Sequence, residues 1–194
     1  SFNFFFFFLF LCYILFCFSQ NGYADEASVA HLIAGKKIAG FYLTHISEIS
    51  AFYHERKGLP LWVDGEHYTV QAQEILSDFA NSWEQGLNPS NYHVAEFKNT
   101  LHGEEADVLF TDTVIRYAND LAGMRLSPRT LGEDENSWSR GVNAEALLKS
   151  LAIDREPAVF LRYLAPQDKT YVLLKSALKA LVEDMAKHPE ETFK

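Results

Sequence analysis

Cysteine, histidine and carboxylate side chains are the groups in this 194-residue sequence that could carry chemistry, and their positions exclude most of it. Cys12 and Cys17 both lie in an apolar N-terminal stretch. The rest of the chain therefore has no thiol for a disulfide, a thiolate metal site or a cysteine nucleophile. The seven histidines, at positions 31, 45, 54, 67, 93, 102 and 188, nowhere form the two-His helical pair with an intervening Glu that binds catalytic zinc. No metal is expected. Gly35, Gly40 and Gly58 are isolated rather than clustered into a phosphate-cradling loop, and no cofactor is expected. Carboxylate pairs do exist: Asp107 with Asp112, and Glu55 near Asp64. A glycosidase uses two carboxyls roughly 5 to 10 Å apart. Any acidic chain offers such pairs, however, and helix caps and solvated faces account for these without a perturbed pKa. No catalytic residue is assigned.

Aromatic side chains are the other candidates, because Phe52, Tyr53, Trp62, Trp83, Tyr92 and Trp138 could line a sugar groove by stacking. Phe52, Trp83 and Tyr117 fall on apolar stripes, where burial is worth roughly 1.5 to 3 kcal/mol each, so the core claims them. Trp138 stands alone in a polar stretch. It is either an exposed contact residue or the plug that pins that stretch, and both readings stay open.

These groups must be positioned by a chain made of two different materials. The first 24 residues hold no charged side chain and 9 of the 16 Phe, and the remainder carries all 17 Lys and Arg and all 26 Asp and Glu. That remainder has the composition of a globular domain and is long enough for one core, or for one core and a small satellite. Its net charge of −9 disfavours a nucleic-acid partner, since phosphate binding needs clustered Lys and Arg. Residues 4–18 form an unbroken apolar run of 15, about 22 Å as a helix and short of the roughly 30 Å hydrocarbon core. Its length suits a signal peptide, with Gly22-Tyr23-Ala24 supplying small residues for cleavage after Ala24 and export to the periplasm. The start lacks Met and a basic segment, as a truncated leader would. An uncleaved leader is the only membrane attachment foreseen.

Beyond the leader the apolar period is helical. Helices are expected over 27–38, over the segment headed by Ser47 as N-cap, and over 68–85 with Gly86 ending it. A short helix begins at Pro89, and a long one spans 104–122 with Asp107, Arg116, Asn119 and Asp120 mostly on its solvent side. Asn143 caps 144–152, Pro157 starts a helix to 163, and 169–187 forms the last, striped by Tyr171, Leu174, Leu178, Leu181 and Val182. Residues 123–142 read as an exposed loop of about 20 residues, long enough to imply a function or a missing partner. Strand alternation of adequate length is absent, so the class is all-α: a compact irregular multi-helix domain with one long loop, preceded by a signal peptide. The organisation is a signal peptide over 1–24, a helical lead-in over 25–46, a domain over 47–188 and the start of a linker over 189–194.

One ordered set of motifs runs through this domain: Phe52-Tyr53-x-x-Arg56-x-x-x-Pro60-Leu61-Trp62, then Gln85-Gly86-Leu87-Asn88-Pro89-x-x-Tyr92, then Thr111-Asp112 with Tyr117 and Leu121, then Arg125-Leu126-Ser127-Pro128. The late segment Leu164-Ala165-Pro166-x-x-x-x-Tyr171-x-x-Leu174 completes it. Together they resemble the N-terminal scaffold domain of the large periplasmic murein L,D-transpeptidases, over roughly residues 49–182. The family departs from this chain at Ala122-Gly123-Met124-Arg125, where it usually has Gly-Arg directly.

The resemblance implies a cell-wall role. In that family a cysteine in a later domain crosslinks peptidoglycan by acyl transfer, marked by a His and a Ser-x-Gly-Cys motif, often with a small peptidoglycan-binding domain in between. Neither is present in this sequence, so the resemblance transfers no catalytic residue to it. The motif residues have structural readings instead: Tyr53 and Trp62 anchor the connector, Gly86 ends a helix, Pro89 starts one, and Arg56 or Arg125 pairs with a buried carboxylate such as Asp112. The expected partner is peptidoglycan or the catalytic domain of the same polypeptide. The alternative is a free-standing module that contacts peptidoglycan or a protein through Trp138 and the 123–142 loop; an independent carboxylate hydrolase ranks below both.

Overall fold

A computed structural model of the protein describes residues 26–123 and 141–187. The leader, Arg125, Pro128, Trp138 and most of the 123–142 segment lie outside the described residues. Within them the chain is mainly α-helical, with eight α-helices and two hairpins of two residues per strand. The all-α expectation holds, and the hairpins are its one departure.

The first departure is at 27–38. Helix α1 runs Glu26–Ala34 and stops there, because Lys36 takes a left-handed φ of 58° and turns the chain back. Ile38, expected on the helix, instead sits in strand β1 (Lys37–Ile38), which pairs antiparallel with β2 (Phe41–Tyr42). Ala39 and Gly40 between them both have positive φ, as a two-residue hairpin loop of matching twist requires. Helix α2 follows at Ile46–Glu55. It starts before the expected cap, so Ser47 lies inside the helix and its hydroxyl donates to the Glu48 carboxylate instead of accepting a leading N–H. A connector leads to a second hairpin, β3 (Val63–Asp64) with β4 (His67–Tyr68).

Thr69 caps α3 (Val70–Ala80), accepting from the Ala72 N–H. The predicted 68–85 helix divides here: after Ala80 the chain tightens into a 3₁₀ turn, Ser82–Gln85, and Gly86 with φ 71° ends that turn. A second 3₁₀ turn, Pro89–Tyr92, has Asn88 as its side-chain cap. Left-handed His93 separates it from α4 (Val94–Asn99). The longest inner element is α5 (Gly103–Leu121), followed by α6 (Ala144–Ile153), α7 (Pro157–Arg162) and α8 (Lys169–Lys187). Asn143 caps α6 as its residue type predicts, accepting from the Ala146 N–H.

Helix α5 is the axis of the molecule. Residues 106–115 are buried without a break, so the helix is enclosed on every side rather than along one stripe. Around it pack α1, α2, α6, α7 and the β3 hairpin. Phe110 lies among the rings of Trp62, Tyr68, Phe79 and Phe97 at centroid separations of 5.0 to 5.9 Å. Ring pairs of this kind are worth about 0.5–1.5 kcal/mol each beyond their buried area. An enclosed helix cannot hydrate its polar residues, so each one must find a partner inside the protein.

Helix α8 is the opposite case, since none of its residues is buried. It rests on the Ser82–Gln85 turn through the Tyr171 hydroxyl, which donates to Gln85 Oε1 at 2.8 Å, and through Lys179 beside Glu84 at 3.6 Å. Its expected apolar stripe is largely uncovered: Leu174 is 66 % and Leu181 54 % exposed.

Candidate functional site

The chemistry-bearing residues of the centre are two aspartates on α5. Asp107, which the sequence places on the solvent side, is 1 % exposed. Its carboxylate lies inside the 60–63 connector. The backbone N–H of Leu61 donates to both of its oxygens at 3.1 and 3.2 Å. The N–H groups of Trp62 and Val63 donate to Oδ1 at 2.5 and 3.1 Å. The Tyr53 hydroxyl donates to Oδ2. Burial pushes the Asp107 carboxyl up from its ordinary value, and these donors oppose that rise. Burial, with the Asp107 charge second, raises the Tyr53 phenol well above its ordinary value. Thr111, one turn on, completes the network: its hydroxyl accepts from Trp62 Nε1 at 3.0 Å and donates to the Asp107 carbonyl at 3.0 Å.

This network brings together the residues of the first sequence motif. Tyr53 and Trp62 hold the connector from inside. Arg56 holds it from outside, donating to the carbonyls of Leu59 at 2.9 Å and Pro60 at 2.7 Å. The Arg56–Asp112 pairing considered from sequence is not formed. Arg56 is spent on the connector, while Asp112 takes its arginine from its own helix, Arg116, four residues on at 3.0 Å.

Asp112 is fully buried and clamps a different loop. Its Oδ1 accepts from the N–H groups of Thr44 and His45, each at 2.9 Å, and from His45 Nδ1 at 3.0 Å. The Thr44 hydroxyl adds bonds of 3.0 and 3.1 Å. Burial alone would raise this carboxyl, but the donors from His45 and Thr44 together hold it below its ordinary value. The geometry also explains the start of α2. His45 makes no side-chain cap, and an aspartate from a distant helix accepts the leading N–H groups and faces the positive end of the dipole.

The remaining motif residues lie elsewhere. Gly86 and Pro89 shape the two 3₁₀ turns. Tyr92 stacks on Phe79 at 5.6 Å, meets Tyr117 edge-on at 5.1 Å, and donates to Asp120 at 2.7 Å. Glu55 pairs with Lys149 of α6 at 3.1 Å. Asp107 and Asp112 are therefore not a catalytic pair: five residues apart on a helix, they point about 140° from one another, and each is enclosed by donors. Among the described residues no group of three or more His, Cys, Asp or Glu side chains is arranged to hold a metal ion. No described helix is long and apolar enough to cross a membrane.

Two of the larger hollows among the described residues border the site and α8. One, of about 520 Å³, is bordered by Ser28, Pro60, Glu66, His102 and Glu104. The other, of about 470 Å³, runs between the Ser82–Gln85 turn, the end of α7 and the first half of α8. What this molecule offers chemically is a rigid helical body whose central carboxylates fasten loops, with open surface along α8.

Comparison with known proteins agrees with that character. No curated protein and no solved structure matches the chain. A family model described as Scaffold domain matches residues 47–178, more than half of the chain, including α5 and the network around Asp107. The chain belongs to the Scaffold domain family.

Proposed function

We propose that this chain is the non-catalytic scaffold portion of a murein L,D-transpeptidase-like protein that crosslinks peptidoglycan and remodels the cell wall. In this reading it is exported to the periplasm with cleavage after Ala24, and the acyl transfer belongs to a cysteine in a further domain of the same polypeptide. The observation that carries the reading is the scaffold-family match over residues 47–178, which spans all five motif segments. The uncovered face of α8 supports its second half. A helix that exposes Leu173, Leu174, Leu181 and Met185 gains by docking against another apolar surface, and a neighbouring domain provides one.

The body's own contribution is rigidity. Asp107 and Asp112 fix the 60–63 and 44–45 segments to the central helix, so a domain attached to this surface meets a fixed platform. The test is crosslinking of purified tetrapeptide muropeptides. Residues 25–194 alone form no crosslinked dimers, whereas the polypeptide translated from the complete coding region does; dimers formed by residues 25–194 alone overturn the proposal. N-terminal sequencing of the mature protein begins at Asp25, and a chain that still begins with the Phe-rich run overturns the export reading.

The alternative, a free-standing module that binds peptidoglycan or a protein, is favoured by one observation: the open groove beside α8. Retention of residues 25–194 on purified sacculi, with no crosslinking by any longer product of the same coding region, distinguishes it.

A further inference from the structure

The groove beside α8 differs in charge from the rest of this acidic molecule. Glu84, Arg162, Lys175 and Lys179 line it, three cations to one anion, on a chain whose net charge is −9. Two of the cations are engaged. Arg162 donates to both oxygens of Asp78, with Nε at 3.1 and 2.9 Å and Nη2 at 2.8 Å. Lys179 stands 3.6 Å from Glu84. Lys175 is partly buried in the wall and has no carboxylate within salt-bridge distance among the described residues. An ammonium with no carboxylate partner is available to a bound one, and a charge-assisted hydrogen bond is the stronger kind.

The neighbouring polar groups suit a peptide. Gln85 Oε1 accepts from the Tyr171 hydroxyl at 2.8 Å, which leaves the Gln85 amide N–H groups without a partner among the described residues. Gln167 Nε2 donates to the Ala165 carbonyl at 2.7 Å, which leaves its amide oxygen able to accept. One amide therefore offers donors and the other an acceptor, the pair an extended peptide backbone needs. Tyr163, 74 % exposed at the rim, presents a ring face against which an apolar side chain or a sugar can pack. The volume of about 470 Å³ fits a ligand of a few residues.

We propose that this groove binds a short peptide bearing a free carboxylate, with Lys175 as the carboxylate partner, Gln85 and Gln167 as backbone partners and Tyr163 as the packing surface. Resting on the cell-wall reading above, the peptide is the stem peptide of peptidoglycan. The platform then holds substrate as well as a neighbouring domain.

The test is titration of residues 25–194 with a soluble disaccharide-tetrapeptide, followed by calorimetry, alongside the same compound with its carboxylates amidated. Saturable binding is expected for the free acid and at least tenfold weaker binding for the amidated compound. Lys175→Glu and Tyr163→Ala each weaken binding tenfold or more, while their circular dichroism and melting match the parent, because neither side chain is buried in the core. An acidic peptide unrelated to peptidoglycan that binds as tightly as the muropeptide keeps the carboxylate site but overturns the stem-peptide assignment. Absence of binding at millimolar muropeptide, equal affinity for the amidated compound, or loss in Trp138→Ala with none in Lys175→Glu overturns the groove. Each of those results leaves crosslinking by the longer polypeptide to be judged separately.

Discussion

Replacing Asp107 by alanine removes the acceptor around which the connector is wound. Two buried donors lose their partner, the N–H groups of Trp62 and Val63, and the Tyr53 hydroxyl loses its carboxylate bond while keeping the backbone carbonyl of residue 107 and Thr111. The Leu61 N–H, nearer the surface, is free to hydrate. Leaving a buried donor unsatisfied costs about 1–3 kcal/mol, and the connector relaxes in part, so a total of about 3–5 kcal/mol is expected. Native stabilities are about 5–15 kcal/mol, so the variant folds only marginally. In urea melts followed by circular dichroism, a slope near 2 kcal/mol/M turns this loss into a midpoint shift of about 2 M with the slope unchanged. Asp107→Asn keeps one acceptor oxygen and is expected to lose less, about 1–3 kcal/mol. In a double-mutant cycle, Tyr53→Phe and Asp107→Ala are non-additive, since they remove one shared bond. An Asp107→Ala variant within about 1 kcal/mol of the parent would refute the reasoning, because it would mean the connector holds its shape without the carboxylate.

Asp112 has a different signature, in pH. Its folded pKa is depressed below the unfolded value of about 3.9, so its contribution is full above that value and fades as pH falls through the lower folded pKa. The stability gap between the parent and Asp112→Asn, measured by urea melts from pH 7 to pH 2.5, therefore stays constant to about pH 4 and narrows below it. Gly86→Ala meets no neighbour within 4 Å, yet φ 71° alone costs a side chain about 1–2 kcal/mol, read as a lower melting temperature. Leu174→Glu with Leu181→Glu changes the stability of residues 25–194 by less than about 0.5 kcal/mol, since both positions are exposed. The same pair lowers crosslinking by the longer polypeptide if a second domain covers α8.

Much of the helical frame was legible from spacing. The 104–122 period, the Asn143 cap and the Pro157 start correspond to α5, α6 and α7 because each rests on local backbone chemistry. What local chemistry cannot show is which long helix becomes the axis. Asp107 looked solvent-facing because aspartate usually is, yet it lies on the same helical face as Val114 and Ala118, seven and eleven residues on, and that period marked it as inward. The motif around Tyr53, Arg56 and Trp62 was visible as a set, but its common target was not, since Asp107 is 45 residues from Trp62 in sequence. Of the two arginines the sequence offers Asp112, Arg56 is spent on the connector and Arg125 lies outside the described residues, while Arg116 stands at the i+4 position where a helix pairs such groups. The hairpin at 37–42 was missed because two-residue strands carry no period, and only the Ala39-Gly40 turn could have signalled it. The groove beside α8 had no signal at all: Gln85, Tyr163, Gln167 and Lys175 come together only when α8 folds back over the Ser82–Gln85 turn.

The central claim is that this helical body serves a crosslinking domain carried by the same polypeptide. The direct measurement is the intact mass of the native protein from its source, together with the coding sequence beyond Lys194. The account predicts a mass far above 22.1 kDa and a downstream His and Ser-x-Gly-Cys motif. A mature mass equal to that of residues 25–194, with no such motif encoded, contradicts it.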